Sequence, residues 1–516
     1  MGQLRKVHGA LPVRWPPPAL ALRLPLQALA VWQKPSDLYG RDREWETLCD
    51  FVSDPCPGAR LAVVRGHRRH GKSILLRRLS AASGGFYHQA IEGTQSEQLQ
   101  DLAHAITRFA KLPDVPSFPT WRQALNALLV LSGTDEPLAI VLDEFPLLVA
   151  SAPELPTLLH DAVEERRTRG PRSRILVCGS SLSVMASMLT YAARPDSESR
   201  TDLIIDPFTC GDTTRFMGLQ DRPDVAIKVH AVCGGVPGHY TDLLAEDLPR
   251  DGSDFNEWMV RGPLCVNRPL LHEAARLLDS EPHLGDRALC LSILAAITDG
   301  ENTTERIGRR LARSLQGIAE PLSLLAHLRI VERRTDPLRV HPPSWHIRDP
   351  LLRFYAAVLR RDWARLEQGL ADRVWHDAQD AWRNRILGPH VHDLARAWIA
   401  RYAEALTGRP LRTIGPTEII DRAGGKTYRI DLAGVRTEEG RDHVAVVGEA
   451  RSWDRPVSMS ELERLSRIRH LLARQEHALP HARLVLFGFS GFTAELLQNA
   501  DPADVILVDP HALAAS

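Results

Sequence analysis

The sequence predicts an α/β fold that begins with a parallel sheet and continues into further helical and α/β domains. Between residues 60 and 181, three short apolar runs alternate with segments of helical spacing, which is the pattern of a parallel sheet covered on both faces. More apolar runs follow near the end of the chain, after a long helical stretch. The chain has 516 residues, 44% of them hydrophobic, which is enough for two to four domains with their own cores.

The charge composition excludes two classes of protein. The 64 basic side chains are matched by 64 acidic ones, so the chain is neither a histone-like basic protein nor a disordered acidic one. A local nucleic-acid surface is compatible with this balance. Only six of the basic residues are lysines and 58 are arginines, so a lysine at a motif position is unusual in this sequence.

The cysteines and the first 36 residues indicate the cellular compartment of the protein. The seven cysteines are scattered and none has C-x-x-C spacing, which predicts reduced thiols and no structural zinc site. Residues 1–36 form a proline-rich leader that is too interrupted for a membrane span or a signal peptide, and we expect it to be poorly ordered. The sequence thus predicts a soluble cytoplasmic protein.

The first folded domain is predicted over residues 37–210. It opens with a helix, "LYGRDREWETLCDFV", whose apolar residues share one face. Its strands are predicted at "RLAVVRG", "LAIVLDEF" and "RILVCGSS". The sequence over 211–262 has helical periodicity, interrupted by "CGGVPG", and predicts a small helical domain after the first one.

Two more domains are predicted after residue 262. Residues 263–345 contain three amphipathic helices, a short apolar strand and a polar turn, which suggests a winged helix; an ordinary helical connector is the alternative. Residues 346–516 begin with long helices and continue into the candidate strands "TYRIDLAGV", "HVAVVGEAR" and "RLVLFGFS". They predict a C-terminal α/β domain.

The strongest motif is "GHRRHGKS", which satisfies G-x-x-x-x-G-K-[ST] between an apolar strand and a helix. In such a loop the backbone N–H groups face the phosphates of a nucleotide, Lys72 supplies charge to the β- and γ-phosphates, and the Ser73 hydroxyl is a ligand of Mg²⁺. A glycine turn without a ligand is the alternative. The residues predicted to hold the nucleotide are Gly66, His67, Arg68, Arg69, His70, Gly71, Lys72 and Ser73.

Two strand ends supply candidates for hydrolysis. Asp143 ends the second apolar run and is predicted to hold Mg²⁺ through its water shell, and Glu144 beside it is predicted to polarise the attacking water. Ser180 follows the third run, where a hydroxyl can contact the γ-phosphate, although Gly-Ser-Ser is also a common loop sequence. With Lys72, these residues predict a nucleotide-hydrolysing site.

The motifs and their order resemble the archaeal-type ATPase family, in the signal-transduction branch of AAA+-related P-loop ATPases. The resemblance covers residues 37–250 and rests on "YGRDREWETL", "GHRRHGKS", "LDEF", "GSS" and "GGVPGHY". It implies ATP as the nucleotide, a helical lid at 211–262 and a winged helix after it. The further residues that it implies are Tyr39, Gly40 and Arg41 beside the adenine, Gly234, Gly235 and Pro237 at the lid, and Arg194 or Arg200 as an arginine finger from a neighbouring subunit.

A second acidic pair lies in the C-terminal domain. Asp431 and Glu449 sit in or beside apolar strands, where an unpaired carboxylate is costly. With Arg451 they resemble the Asp…Glu-x-Lys core of PD-(D/E)XK nucleases, in which two carboxylates hold Mg²⁺ and a lysine positions or activates water. The text from 346 to 510 is similar to the nuclease-like domain that often accompanies this ATPase family. The resemblance implies Asp431 and Glu449 as metal ligands, and both with Arg451 as catalytic residues.

Two departures leave the chemistry of this pair open. Arg451 stands at the lysine position and stays protonated, so it cannot act as a base. The upstream helix offers Asp393 as a third acid only with a slight shift, and His390 with His392 is predicted to be a solvated helix start and not a metal site. Metal-dependent cleavage and an inactive nuclease-like fold are the alternatives.

Two functions follow from these domains. In one, an ATPase couples its nucleotide state to a DNA-binding winged helix and a nuclease-like domain, as in DNA processing or defence. In the other, a nucleotide-gated switch or scaffold assembles on ATP and carries an inactive nuclease-like domain. Both predict ATP and Mg²⁺ as ligands, DNA or a second copy of the chain as partners, and no membrane.

Overall fold

The structure, a computed structural model, divides into two compact units. The first contains the chain up to Asp206 with Ser280–Pro282, and the second contains Pro207–Asp279 and the chain from His283 onward. Most of the leader, Arg194 and the side chains of Arg200 and Arg451 lie outside the described residues. Those residues are 32–132, 136–190, 200–245, 247–279, 281, 284–421, 424–438, 440–451, 455–475 and 477–515.

The first unit is built on a parallel five-stranded sheet. Its strands are β1 (Arg60–Arg65), β2 (Phe86–Gln89), β3 (Leu138–Asp143), β4 (Ser173–Gly179) and β5 (Arg200–Ile204). They lie in the order β2-β3-β4-β1-β5. The predicted strands β1, β3 and β4 are confirmed and occupy the centre, where every residue of β3 and β4 is buried. The edge strands β2 and β5 were not predicted, because β2 is only four residues long and β5 begins with polar residues.

Helices cover both faces of this sheet. Alternate residues of β3 face two separate cores, with Ala139 and Val141 in one and Ile140 and Leu142 in the other. This explains why the strand is an unbroken apolar run. The helix predicted before β1 is present as α1 (Asp42–Ser53), with its apolar face buried. The helices are α1 (Asp42–Ser53), α2 (Lys72–Ser83), α3 (Gln95–Ala110), α4 (Trp121–Leu129), α5 (Phe145–Ser151), α6 (Leu155–Glu164) and α7 (Leu182–Thr190).

The second unit begins with a helical segment. Its elements are α8 (Cys210–Phe216), α9 (Pro223–Cys233), a π-helical turn (His239–Leu243), α10 (Phe255–Arg261) and α11 (Leu270–Asp279). The predicted turn follows α9, and steric constraints require glycine at two of its positions. Gly234 has a φ of 65°, and a Cβ on Gly235 would lie 1.8 Å from the Phe208 carbonyl oxygen. Only glycine fits such an approach.

Three helices and a hairpin come next. They are α12 (Arg287–Thr298), α13 (Thr304–Leu311), α14 (Leu315–His327) and the antiparallel strands β6 (Val331–Arg334) and β7 (Ser344–Ile347). Ile293, Ile307 and Ile318, one from each helix, are fully buried. The helices and the first strand were predicted, and the second strand closes the hairpin.

The long helical stretch that was predicted next is present. It comprises α15 (Pro350–Phe354), a π-helical turn (Tyr355–Leu359), α16 (Arg360–Glu367), α17 (Ala371–Asp377), α18 (Gln379–Ala381), a second π-helical turn (Trp382–Leu387) and α19 (Gly388–Thr407). A mixed sheet follows in the order β12-β11-β10-β9-β8. Its strands are β8 (Thr413–Asp421), β9 (Lys426–Glu438), β10 (Arg441–Arg451), β11 (Ala478–Gly488) and β12 (Val505–Val508).

This mixed sheet lies between helices. Trp398 of α19 packs on Phe487 of β11 with ring centres 5.7 Å apart, and α20 (Met459–Arg474) contributes Leu465 and Ile468 to the core of the sheet. The last helices are α21 (Ala494–Asn499) and α22 (Pro510–Ala514). The predicted strands β9, β10 and β11 are confirmed at the centre, and the edge strands β8 and β12 were not predicted.

Two expectations concern the chain as a whole. All seven cysteines are free thiols, as predicted. Among the residues that the structure describes, no helix combines the length and the apolar character that a membrane crossing needs.

Candidate functional site

The loop "GHRRHGKS" makes a tight connection between β1 and α2. Gly66 has no room for a side chain, since a Cβ there would lie 2.5 Å from the Ile205 carbonyl oxygen. Arg69 and Gly71 take positive φ values of 65° and 90°, which turn the chain into the helix. The Gly71 carbonyl accepts from Leu75 N–H at 3.1 Å, so the preceding N–H groups stay outside the helical ladder. Such a helix start offers backbone donors to an anion.

His70 and Arg41 hold this loop in place. His70 Nδ1–H donates to the Ile205 carbonyl at 2.8 Å. Burial lowers the pKa of His70 well below its usual value, and the neighbouring His67 lowers it further. The Arg41 guanidinium donates to the His70 carbonyl at 2.9 Å and to Glu44 at 2.8 Å. Arg41, which the resemblance places beside the adenine, thus also supports the backbone of the loop.

Tyr39 and Gly40 lie in the turn that leads into α1. Both are half-buried, and Gly40 has a φ of 60°. The Gly40 carbonyl accepts from Lys34 Nζ at 2.6 Å, and Lys34 also pairs with Asp42. These contacts fix the segment directly before Arg41.

Lys72 is buried, with 5% of its surface exposed, and its Nζ donates to the His67 carbonyl at 2.8 Å. Burial lowers the pKa of Lys72, while Cys178, Glu144 and Asp143 raise it. The structure therefore brings the lysine and the acidic pair into electrostatic contact, although they follow different strands. Ser73 is half-buried in the first turn of α2.

Asp143 is fixed by three donors, one of which is the Cys178 thiol. The Tyr87 hydroxyl donates to Oδ2 at 2.6 Å, and Glu144 N–H donates to Oδ1 at 2.9 Å. Arg77 Nε donates in turn to the Tyr87 hydroxyl at 3.0 Å. Burial and the bond to Asp143 raise the pKa of Tyr87, so the hydroxyl keeps its proton. Tyr87 and Arg77 were not predicted as site residues, because β2 was not predicted and neither residue belongs to a motif.

Glu144 has a φ of 52°, a value that non-glycine residues rarely adopt. Burial raises the pKa of its carboxyl and repulsion from Asp143 adds to this, whereas Lys72, Arg68 and a hydrogen bond with Ser180 lower it. Because β4 lies between β1 and β3, Ser180 falls between the phosphate loop and the acidic pair. The predicted residues Lys72, Asp143, Glu144 and Ser180 are therefore brought together.

Glu281 holds the loop that follows Ser180. This buried carboxylate accepts from Leu182 N–H at 2.7 Å, from the Ser183 hydroxyl at 2.9 Å and from the Ser181 hydroxyl at 3.1 Å. It lies 100 residues along the chain from Ser181. No feature of the sequence indicates this contact, because Glu281 joins the first unit only through folding.

The C-terminal acids lie on the neighbouring strands β9 and β10. Glu449 is 2% exposed, and its Oε2 accepts from Arg464 Nη1 of α20 at 2.7 Å. Asp431 is 5% exposed. Within the residues that the structure describes, no group of three or more His, Cys, Asp or Glu side chains could hold a metal ion. The described geometry thus pairs Glu449 with an arginine.

Two other sequence-based candidates have structural roles. Asp393 forms ion pairs with Arg334 and with Arg353, which lower the pKa of its carboxyl. The prediction of a solvated helix start was wrong for His390, which is buried in α19 with its Nε2 3.0 Å from His230 Nδ1. Burial lowers the pKa of both histidines, so both rings are neutral near pH 7.

Comparison with known proteins gives only distant similarity. No protein-family model and no curated protein matches the sequence. Among solved structures, a Walker-type ATPase of Pyrococcus abyssi is 19% identical, with 63% of this chain and 96% of that chain covered and a TM-score of 0.44. The Aeropyrum pernix ORC2 protein, in ADPNP–ADP complexes, is 17% identical over 68% of this chain and 98% of its own, with a TM-score of 0.35. The Aeropyrum pernix ORC1 protein in complex with DNA is 16% identical over 66% and 95%, with a TM-score of 0.31. Similarity at this level does not assign a function.

Proposed function

We propose that the first unit binds ATP with Mg²⁺ and hydrolyses it. The observation that carries this proposal is the meeting of Lys72 with Asp143 and Glu144 beside the glycine-containing loop, where the pKa of Lys72 responds to both carboxylates. The loop offers backbone donors and a buried ammonium to the phosphates, and the acidic pair stands where a metal ion and a water molecule are needed.

The residues present fit a hydrated Mg²⁺ ion. Asp143 accepts hydrogen bonds from the Tyr87 hydroxyl, the Glu144 N–H and the Cys178 thiol, which leaves a lone pair of the carboxylate for metal-bound water. Protein-bound Mg²⁺ usually keeps several waters and takes few side-chain ligands. Ser73 and Asp143 would hold it, and the bound ion would neutralise charge on the phosphates.

Glu144 is the proposed base. Its pKa is raised by burial and by Asp143, which makes the carboxylate a better proton acceptor than an exposed one. Its hydrogen bond with Ser180 orients it between the strand ends. The charge of Lys72 limits the rise in this pKa.

The Glu144→Gln variant tests this assignment. Glutamine keeps the shape and a hydrogen bond to Ser180 but cannot accept the proton of water, so we expect ATP turnover to fall by about a hundredfold or more. ATP binding should be kept. Phosphate release measures turnover, and the anisotropy of a fluorescent ATP analogue measures binding. Glu154→Gln, at an exposed glutamate of the same unit, is the matched control. Wild-type-like turnover in Glu144→Gln would show that Glu144 is not the base. Absence of ATP turnover in the wild type with Mg²⁺ would refute the proposal that this protein hydrolyses ATP.

For the second unit, we infer a winged-helix-like domain and a nuclease-like domain that does not cut. The hairpin after three helices supports the first assignment, and the ion pair between Glu449 and Arg464 supports the second. A carboxylate bound to an arginine in a buried setting is poorly placed to take up a metal ion, because its partner would be left unpaired. The whole chain is then a nucleotide-gated switch, with DNA and a second copy of the chain as the proposed partners.

Cleavage assays separate this switch from a nuclease. With Mg²⁺ or Mn²⁺, we expect the wild type and the variants Asp431→Ala and Glu449→Ala to leave single- and double-stranded DNA and RNA equally intact. Denaturing gels on one preparation that also turns over ATP provide the measurement. Cleavage by the wild type that both variants lose would establish the nuclease instead.

A further inference from the structure

A cavity of about 410 Å³ lies within the second unit, among the end of α12, the β6–β7 hairpin, the second π-helical turn with the start of α19, and β9. Its lining is unusually basic, since one carboxylate, that of Asp431, faces six guanidinium groups. Glu449 and Arg464 are not part of it. The six arginines are Arg334, Arg353, Arg383, Arg385, Arg396 and Arg429.

Four of these arginines are held in place by carboxylates of the same unit. The ion pairs are Arg334–Asp393, Arg353–Asp393, Arg396–Glu332 and Arg385–Asp299. Arg353 is 5% exposed, and its Nη1 finds no hydrogen-bond acceptor among the described residues. Buried donors are almost always paired, so this one favours an acceptor supplied from outside the chain.

The other two arginines are exposed on the rim. Within the described part of the chain, the guanidinium groups of Arg383 and Arg429 have neither an acidic partner nor a hydrogen-bond acceptor. One comes from the π-helical turn and the other from β9. Two unpaired guanidinium groups from different elements therefore share one cavity with an unsatisfied buried donor.

The sheet is irregular at this wall. Gly415 pairs with Ala433 and Thr417 pairs with Ile430, so β9 places two residues opposite the one residue of β8 between them. The two residues of this β-bulge are Asp431 and Leu432, and both are part of the cavity wall. Bulges occur preferentially where a side chain is redirected toward a functional site.

We propose that this cavity binds a phosphomonoester carried by a nucleotide, either free or at the 5′ end of a nucleic-acid strand. A phosphomonoester brings a charge near −2 and three acceptor oxygens, which suits several guanidinium groups at once. Trp345 in the lining provides a ring on which a base can stack, and the Asp431 carboxylate accepts from a sugar hydroxyl. All lining residues belong to the second unit, so the proposal does not depend on the ATPase.

The test uses the full chain with Lys72→Ala, so that the phosphate loop does not contribute, and EDTA throughout. Fluorescence anisotropy compares a labelled short oligonucleotide bearing a 5′-phosphate with the same strand bearing a 5′-hydroxyl. We expect binding to depend on the phosphate and to weaken about tenfold in Arg383→Ala and in Arg429→Ala, as for the loss of a charged hydrogen bond. Arg373→Ala, at an exposed arginine of α17 outside the cavity, is the matched control and should bind normally.

Competition with AMP distinguishes the two sources. Displacement by AMP identifies a free nucleotide as a ligand, and binding that AMP does not displace identifies the strand end. Equal binding of both strands, unchanged affinity in both arginine variants, or no binding of the phosphorylated strand in EDTA would each overturn the proposal. Thermal unfolding midpoints equal to that of the parent verify that the variants are folded.

Discussion

The Lys72→Ala variant is expected to lose ATP turnover by about a hundredfold or more and to bind ATP at least about tenfold more weakly. In the present structure the ammonium donates to the His67 carbonyl in a buried setting, held between the loop and the acidic pair. A phosphate oxygen can replace that carbonyl as the acceptor at little cost, since the charge is already desolvated and directed. Alanine removes both the charge and the donor.

Phosphate release and the binding of a fluorescent ATP analogue measure these effects. Lys111→Ala is the matched control, because Lys111 is an exposed lysine of the same unit at the end of α3. Unchanged binding and turnover in Lys72→Ala, with Lys111→Ala also unchanged, would show that the loop is only a structural turn. Lys72→Ala also separates the two nucleotide proposals, because only the cavity in the second unit should then retain a phosphate ligand.

Lowering the pH from 7.5 to 5 is expected to destabilise the second unit by several kcal/mol. Burial lowers the pKa of His230 to about 4 and that of His346 to about 3, and it lowers the pKa of His390 well below 6.5. In the unfolded chain all three titrate near 6.5. Below that pH the unfolded state binds protons that the folded state does not, so stability falls until the folded pKa is reached. At pH 5 the cost is about 2 kcal/mol for each histidine that stays neutral.

Urea unfolding at pH 7.5, 6 and 5 measures this dependence. His346→Gln should reduce the slope between pH 6.5 and 5, because glutamine does not titrate. His104→Gln, at an exposed histidine, should not change it. Carboxylates with lowered pKa values, such as Glu461 at about 2, contribute only at lower pH. Equal urea midpoints at pH 7.5 and 5 would contradict the prediction.

The central strands of both sheets were predictable, and the edge strands were not. The residues of β3 and β4 are buried on both faces and therefore leave an unbroken apolar signal in the sequence. By contrast, β2 and β12 have four residues each, and β8 is interrupted by Gly415 and Pro416. A short strand at an edge gains much of its stability from backbone pairing with its neighbour, which depends little on side-chain type.

Among the polar residues, too, some properties were predictable from the sequence and others were not. His390 and Asp393 look alike as polar residues of one helix start, yet the first is buried against His230 and the second is neutralised by Arg334 and Arg353. None of these three partners lies near in the sequence. Which face of a helix is buried could be read from its apolar spacing, but the partner on the opposite element could not.

The sequence by itself determined the loop that we propose for phosphate binding, because its glycines and the start of α2 set consecutive backbone groups whose geometry is local, and Lys72 and Ser73 follow directly. Only the tertiary structure decided which partners surround the buried carboxylates. Folding brings Asp143 into a hydrogen bond with Tyr87 and Glu449 into an ion pair with Arg464. It also places Asp431 in a cavity wall that contains several arginines. The physical reason is that a buried charge takes its properties from the nearest opposite charge or donor, and folding brings that partner from a distant part of the chain.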